Sequence, residues 1–195
     1  MRVGVISDTH GMLRPDVLKY FADVGHILHA GDIGDEDLLI ALEAVAPVTA
    51  VWGNTDGLAL RHRIPEIATV VLERRTIAVV HGHQLGSPTP EALRQAVVGV
   101  APSGTRDIQA QPDGPSARGR ARPQEAQDAG ILGRRAYRDA DIVVFGHTHR
   151  PTIEWLGGIL YLNPGGAGAA RFNLRPTIAL LELAEPAVDV RLIDL

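Results

Sequence analysis

Short apolar runs alternate with helical patterns over the first half of the chain. Runs at 2–7, 27–30 and 48–52 have the length and character of buried strands. Between them, the residues that follow Pro15 and the segment 35–45 place apolar side chains at helical spacing. This half of the chain therefore predicts strands alternating with helices.

The second half is dominated by strand patterns. β-Branched residues at 67–72 and 76–80 flank Glu73-Arg74-Arg75 and predict an antiparallel hairpin, and a short helix is expected from Pro90 to residue 97 or 98. The remaining predicted strands lie at 141–145, 152–155, 159–162, 177–183 and 187–193. Together the two halves predict the α/β class, as a four-layer α/β/β/α sandwich of two mixed β-sheets flanked by helices.

One segment shows neither pattern. From 101 to 127, Pro, Gly, Ser, Gln and Arg dominate and apolar periodicity is lost. Such a composition cannot bury enough apolar surface to order itself, so we expect a flexible insertion. A helical pattern returns at 131–137. We expect a single domain over residues 1–195 with this insertion inside it.

Composition narrows the functional classes. The 195 residues include no cysteine, so disulfides and thiolate metal sites are excluded. The formal net charge of −4 argues against a broad nucleic-acid-binding surface. No stretch is long and apolar enough to cross a membrane, and Asp8 falls too early for the core of a signal peptide. We therefore expect a cytoplasmic protein without a membrane partner.

Side chains that can bind metal ions follow five of the predicted strands. The strand at 141–145 ends in Gly146-His147-Thr148-His149, and neutral imidazoles are common metal ligands. Ligands collect at the carboxyl ends of strands in α/β sheets, so these distant residues are expected to converge. The candidate metal ligands are Asp8, His10, Asp32, Asn54, His81, His147 and His149.

Seven candidate ligands are more than one ion needs. Carboxylate, amide and imidazole groups without sulfur suit Mn, Fe, Zn or Ni, and one carboxylate shared by two ions would explain the number. Simpler interpretations remain open. A single His-x-His is often a satisfied polar pair, and Asp8 and Asp32 could cap the helices that follow them.

These motifs resemble a known family. Their order along the chain is that of the calcineurin-like metallophosphoesterase superfamily, and the chain looks like its small bacterial and archaeal phosphodiesterase branch. The motifs are Asp8-Thr9-His10, Gly31-Asp32, Gly53-Asn54, His81-Gly82-His83 and Gly146-His147-Thr148-His149. The turn Asn163-Pro164-Gly165-Gly166 is also similar to one in that branch, with Gly166 where a serine is usual.

The resemblance implies a dinuclear metal site. Asp8, His10 and His149 would hold one ion, Asn54, His81 and His147 the other, and Asp32 would bridge them. It implies two divalent ions per chain, with Mn first and Zn, Fe or Ni as alternatives. The implied reaction is hydrolysis of a small phosphate ester, most readily a diester, by in-line attack of a water or hydroxide that bridges the ions. Relatives are often dimers, so a homodimer is compatible with the resemblance.

Three further residues are candidates for supporting roles. Thr55 stands where other members of the superfamily carry a histidine thought to protonate the leaving group. His83 is the nearest residue that could replace it as a general acid, and its other expected role is to contact a phosphate oxygen. Asp56 is expected either to orient His81 or another ligand, or only to shape a turn. His29 is expected to be structural, with a hydrogen bond to a ligand.

Two other functions are compatible with this sequence. A phosphomonoesterase would use the same ions and water, and only the outer walls of the pocket would distinguish it. A non-catalytic scaffold is the other, because the retromer complex contains a protein-binding subunit of this fold. That subunit lacks part of the histidine set, whereas all seven positions are filled here. The resemblance therefore favours an enzyme, a metal-dependent phosphoric ester hydrolase of the phosphodiesterase type.

Overall fold

Two five-stranded β-sheets form the centre of the molecule. The computed structural model describes residues 1–98, 140–185 and 187–195. In chain order the strands are β1 (Arg2–Ile6), β2 (His26–His29), β3 (Val48–Ala50), β4 (Ile67–Leu72), β5 (Arg75–Val80), β6 (Ile142–Phe145), β7 (Thr152–Leu156), β8 (Ile159–Asn163), β9 (Thr177–Leu183) and β10 (Val188–Asp194). The helices in these ranges are α1 (Pro15–Tyr20), α2 (Glu36–Glu43), α3 (Leu58–Arg63) and α4 (Pro90–Val98), with a 3₁₀ turn at His83–Leu85.

Both sheets are mixed. The first has the order β10-β9-β1-β2-β3, in which β1, β2 and β3 run parallel and β9 runs antiparallel to both of its neighbours, β1 and β10. The second has the order β4-β5-β6-β8-β7, with β5, β6 and β8 parallel between antiparallel edge strands. The parallel strands of each sheet end at one edge, which is where their following loops meet.

Apolar side chains separate the layers. One cluster fills the space between the two sheets and includes Val5, Leu28, Val79 and Val144. A second packs α1 and α2 onto the outer face of the first sheet, and a third packs Leu93 of α4 onto the second sheet. Because β6 is covered on both faces, it carries the continuous apolar sequence Ile142–Phe145. The predicted four-layer sandwich of two mixed sheets is confirmed.

The structure adds two elements that the sequence did not predict, namely α3 and the 3₁₀ turn. Helix α3 buries only Leu60 and has no side-chain cap, so it lacks the apolar stripe that marks an amphipathic helix. The proposed insertion at 101–127 and the expected helix at 131–137 lie outside the described residues. Within those residues, no helix is long and apolar enough to cross a membrane.

Candidate metal centre

The predicted ligands come together at the carboxyl ends of strands from both sheets. The first sheet contributes the loops after β1, β2 and β3, and the second contributes those after β5 and β6. In that order these loops carry Asp8 and His10, Asp32, Asn54, His81, and His147 and His149. The site therefore lies across the seam between the sheets.

The backbone of these loops is strained. Positive φ angles occur at Asp8 (52°), His10 (48°), Asp32 (52°), His147 (69°) and His149 (56°). For residues other than glycine, a left-handed conformation costs roughly 1–2 kcal/mol and persists only where surrounding structure holds it. Strain at so many residues with metal-binding side chains indicates that their directions are fixed by the fold.

Asp8, His10 and His149 form one compact group. Their nearest ligand atoms all lie within 4.8 Å of one another. The Nε2 atom of His149 is 3.3 Å from Asp8 Oδ1 and 3.4 Å from His10 Nε2, and the two imidazole rings are stacked. Burial, together with the charge of His10, lowers the pKa of His149 to about 4, so its ring is neutral and able to bind a cation.

The environment of Asp8 fits a cation at this position. Its Oδ2 atom accepts hydrogen bonds from the Ser7 hydroxyl (2.7 Å) and the His147 backbone N–H (3.1 Å). Its Oδ1 atom is buried and has no hydrogen-bond partner among the residues that the structure describes. Burial raises the pKa of the Asp8 carboxyl to about 7. A cation would satisfy this oxygen and the facing histidine nitrogens together.

A second group is centred on His81 and includes Asp8 and Asp32. The Nδ1 atom of His81 lies 2.8 Å from the Ala30 carbonyl oxygen and donates to it. Its Nε2 atom is 3.1 Å from Asn54 Oδ1 and 3.5 Å from Asp32 Oδ2, both of them acceptors. A proton or a cation must therefore lie between them.

The charges around this position favour a proton there when no cation is bound. Burial lowers the pKa of His81, but the hydrogen bond and charges of Asp32 and Asp8 outweigh burial and raise it above its ordinary value. Cation binding at this position therefore competes with protonation of His81.

The two remaining histidines lie beside this group. His147 Nε2 donates to the Gly86 carbonyl at 3.0 Å, which leaves its Nδ1 as the nitrogen free to bind an ion, and its ring meets that of His81 edge-on. His83 packs between Trp52 and His81. Its Nδ1 atom is buried without a hydrogen-bond partner in the described part of the chain. Burial and the charge of His81 lower the pKa of His83.

Asp56 and His29 support the ligand loops through groups other than the ligand side chains. The Asp56 carboxylate accepts from the backbone N–H groups of Gly34 (2.7 Å) and Gly53 (2.8 Å), whereas the Ala30 carbonyl orients His81. The Gly31 N–H donates to His29 Nδ1, so His29 Nε2 donates to Thr9 Oγ1. The bonds of Asp56 fit the turn role, which was one of the two expected for it. Among the described residues, His29 bonds to Thr9 and to the Gly31 N–H rather than to a ligand side chain.

Asp8 and Asp32 do not cap the helices that follow them. Helix α1 begins after Arg14, and α2 begins after Asp35, whose side chain accepts from Asp37 N–H.

Two glycines of the motifs have a steric role. A Cβ atom on Gly53 would lie 2.1 Å from Asp32 Oδ1, and one on Gly146 would lie 2.1 Å from Ser7 Oγ. The glycines therefore allow neighbouring ligand loops to approach closely.

Several contacts at the site have no clear signal in the sequence. Ser7 and the Ala30 carbonyl hold ligands, yet a serine and a backbone carbonyl are unremarkable in sequence. The Phe172 ring lies 5.9 Å from that of His149, and this residue belongs to a loop for which we predicted no role. Only the position of Ser7, directly before Asp8, could have suggested its contact.

The chain is similar to known proteins along most of its length. The family model described as the calcineurin-like phosphoesterase superfamily domain matches residues 1–110 and 116–186. The chain is 29% identical over 201 residues to a probable metallophosphoesterase from Methanothermobacter thermautotrophicus, which covers 99% of this chain and 92% of that protein. It is 23% identical over 199 residues to a phosphodiesterase from Methanocaldococcus jannaschii, with 93% of each chain covered.

A solved structure shares the fold over its whole length. A single-mutant Vps29 from Entamoeba histolytica is 23% identical, and the match has a TM-score of 0.64 and covers 100% of this chain and 99% of that one. The family model, which matches most of the chain, decides the assignment. The chain belongs to the calcineurin-like phosphoesterase superfamily.

Proposed function

We propose that this protein hydrolyses small phosphate esters, most readily phosphodiesters, with two bound divalent metal ions, of which Mn²⁺ is the first candidate. The observation that carries the proposal is the pair of ligand groups that share Asp8, whose buried Oδ1 atom has no hydrogen-bond partner among the described residues. Two such ions, when bound, activate water and neutralise charge on the phosphoryl oxygens.

Asp32 would bridge the two ions in this proposal. Its Oδ2 atom lies 4.0 Å from His10 Nε2 and 3.5 Å from His81 Nε2, between the two histidine sets. Its Oδ1 atom accepts a hydrogen bond from the Thr55 backbone N–H at 2.9 Å, which fixes the carboxylate plane. In this proposal Asp8, His10 and His149 hold one ion, and Asn54, His81 and His147 hold the other.

The groups around the leaving group favour esters that need little proton donation. The Thr55 hydroxyl lies 3.4 Å from His10 Nδ1 and steadies that ring, but a hydroxyl is a poor acid near neutral pH. Because the pKa of His83 is lowered, its ring is mostly neutral at pH 7. This supports contact with a phosphate oxygen as the role of His83.

A non-catalytic scaffold is the second candidate function. Vps29 structures share the whole fold with this chain, so the fold itself does not require catalysis. The complete set of nitrogen and oxygen donors around a buried carboxylate favours the enzyme. A phosphomonoesterase would use the same donors.

Metal reconstitution separates these functions. The protein is stripped of metal, reloaded with Mn²⁺, Zn²⁺, Ni²⁺ or Mg²⁺, and assayed against bis(p-nitrophenyl) phosphate, p-nitrophenyl phosphate and cyclic nucleotides. We expect turnover to return with Mn²⁺ and to favour diesters. Asp32→Asn is the control, because losing the carboxylate that we assign to both ions should weaken the binding of both. Preference for the monoester would indicate a phosphomonoesterase. Two bound ions without any turnover would favour the scaffold.

A further inference from the structure

A tight turn beside the metal centre presents an aromatic ring and a positive charge. The Leu174 N–H donates to the Arg171 carbonyl at 2.8 Å, which closes the turn. Its central residues, Phe172 and Asn173, have φ angles of 54° and 59°. Turns with two left-handed central residues favour Asn and Gly. Asn173 fits this preference and Phe172 does not.

Phe172 is an unfavourable residue for the stability of this turn for two independent reasons. Its side chain is 76% exposed, so the ring contributes little to the core, and its left-handed backbone is strained for a bulky residue. The ring nevertheless has a defined place, perpendicular to the imidazole of the proposed ligand His149. Strain kept next to a site points to a role in that site.

The turn is attached firmly to the loop that carries Asp8. The Ala167 N–H donates to the Ser7 carbonyl (2.9 Å), and the Gly168 N–H donates to the Asp8 carbonyl (3.2 Å). The guanidinium of Arg14 donates to the Gly168 carbonyl. The turn therefore begins three residues after Gly168, which is bonded to the loop that carries Asp8.

Arg171 adds a positive charge at the same edge. Its side chain is exposed, and it directly precedes Phe172, whose ring meets that of the proposed ligand His149. By contrast, Arg175 at the end of the same loop pairs with Asp194 at 3.5 Å. Arg171 is thus carried by the same turn as the ring that contacts His149.

We propose that Phe172 and Arg171 form a subsite for a phosphate ester that carries an aromatic substituent, such as a nucleobase or an aryl group. The substituent stacks on the Phe172 ring, and the Arg171 guanidinium pairs with a phosphoryl oxygen. This inference rests on the proposed function, to which it adds a substrate class.

Equilibrium binding tests the subsite without relying on turnover. The affinities of the Mn²⁺-loaded protein for thymidine 5′-monophosphate and for methyl phosphate are measured by calorimetry, because these ligands share a phosphate and differ in the ring. We expect Phe172→Gly to weaken binding of the nucleotide about tenfold and to leave methyl phosphate unchanged, since stacking on one base has this magnitude. Arg171→Gln should weaken binding of both.

Two matched controls use turns and charges outside the subsite. Glu73→Gly removes a left-handed non-glycine residue (φ 45°) from the turn between β4 and β5, at the opposite end of β5 from the metal centre. Arg175→Gln removes a charge from the same loop as Arg171. Neither should change either affinity.

The outcomes separate the subsite from the proposed function. Equal nucleotide affinity in the wild type and Phe172→Gly overturns the subsite, as does an unchanged KM of Phe172→Gly for bis(p-nitrophenyl) phosphate. A wild type that prefers the nucleotide over methyl phosphate, loses this preference in Phe172→Gly and hydrolyses no ester would support the subsite and overturn the proposed function.

Discussion

At the scale of single residues, the supporting side chains illustrate what a sequence can reveal. The seven candidate ligands are recognisable because each follows an apolar strand within a short motif. Asp56 bonds to the backbone of Gly34 and Gly53, and His29 bonds to the Gly31 N–H and the Thr9 hydroxyl, and the positions of these groups depend on how distant turns pack. Sequence could therefore single these two residues out, but it could not show what they bind.

His29 makes stability depend on pH. It is fully buried, and burial lowers its pKa from 6.5 to about 3. The unfolded chain therefore binds a proton below pH 6.5 that the folded chain does not, and stability falls as the pH drops below 6.5. Between pH 7 and 5, this one group should lower the free energy of unfolding by about 2 kcal/mol.

Replacing His29 with glutamine should remove that dependence, because glutamine offers a donor and an acceptor but does not titrate. Urea unfolding of metal-free wild type and His29→Gln at pH 5 and pH 7 measures the difference. His62→Gln serves as the control because His62 is exposed. An equal pH dependence in wild type and His29→Gln would show that His29 does not remain neutral in the fold.

At the scale of elements, two aspartates accept hydrogen bonds from backbone N–H groups at different places in the fold. The Asp35 side chain accepts from Asp37 N–H and caps α2, so its bond stays within the start of that helix. Asp56 joins the loop that follows β2 to the loop that follows β3. Loss of an N-cap costs about 1 kcal/mol, whereas loss of a buried carboxylate leaves two backbone N–H groups unsatisfied at about 1–3 kcal/mol each.

We therefore expect different consequences of substitution at these two positions. Asp35→Ala should lower the free energy of unfolding by about 1 kcal/mol and leave metal affinity unchanged. Asp56→Ala should lower stability by about 2 kcal/mol or more and also weaken metal binding, because Asn54 and Asp32 lie on the loops that it joins. Denaturant unfolding and metal titration of both variants provide the test. If Asp56→Ala binds metal as tightly as Asp35→Ala, Asp56 does not position the ligands.

Elements with strong apolar periodicity could be predicted, and those without it could not. The described strands and the helices α1, α2 and α4 lie where their patterns placed them. Helix α3 buries only Leu60 and instead relies on local bonds, such as that from Arg61 Nε to the Asp56 carbonyl. Tertiary contacts of this kind leave no period in the sequence.

At the scale of the whole molecule, the metal centre depends on how the two sheets meet. The Asp8 carboxylate accepts from His147 N–H, and Gly146 packs against Ser7, so the loop after β6 in one sheet is joined to the loop after β1 in the other. The strand patterns predict two sheets but not the orders β10-β9-β1-β2-β3 and β4-β5-β6-β8-β7, because pairing between distant strands is decided by packing. The position of the ligands directly after strands, together with the order of the motifs, suggested that these loops converge.

Because Asp8 is buried among the other ligands, the stability of the metal-free protein depends on pH. Burial raises the pKa of this carboxyl from 3.8 to about 7, so between these values the folded state binds a proton that the unfolded state has lost. Stability from this group is therefore lost as the pH rises from about 4 to about 7. A bound cation would remove this penalty by neutralising the buried carboxylate.

Asp8→Asn should consequently stabilise the metal-free protein while weakening its metal binding. The amide can keep the bonds to Ser7 and His147 N–H through its oxygen and donate to His149 Nε2, which lies 3.3 Å from Asp8 Oδ1 in the wild type. The gain over wild type should be larger at pH 7.5 than at pH 5 by about 2 kcal/mol, because the wild-type carboxyl is protonated at the lower pH. Urea unfolding in the presence of a chelator at both pH values measures this, and metal titration at pH 7.5 should show weaker binding by the variant. A variant that is less stable than wild type at pH 7.5 without metal would mean that the buried carboxylate is stabilised by the protein itself and not by a cation.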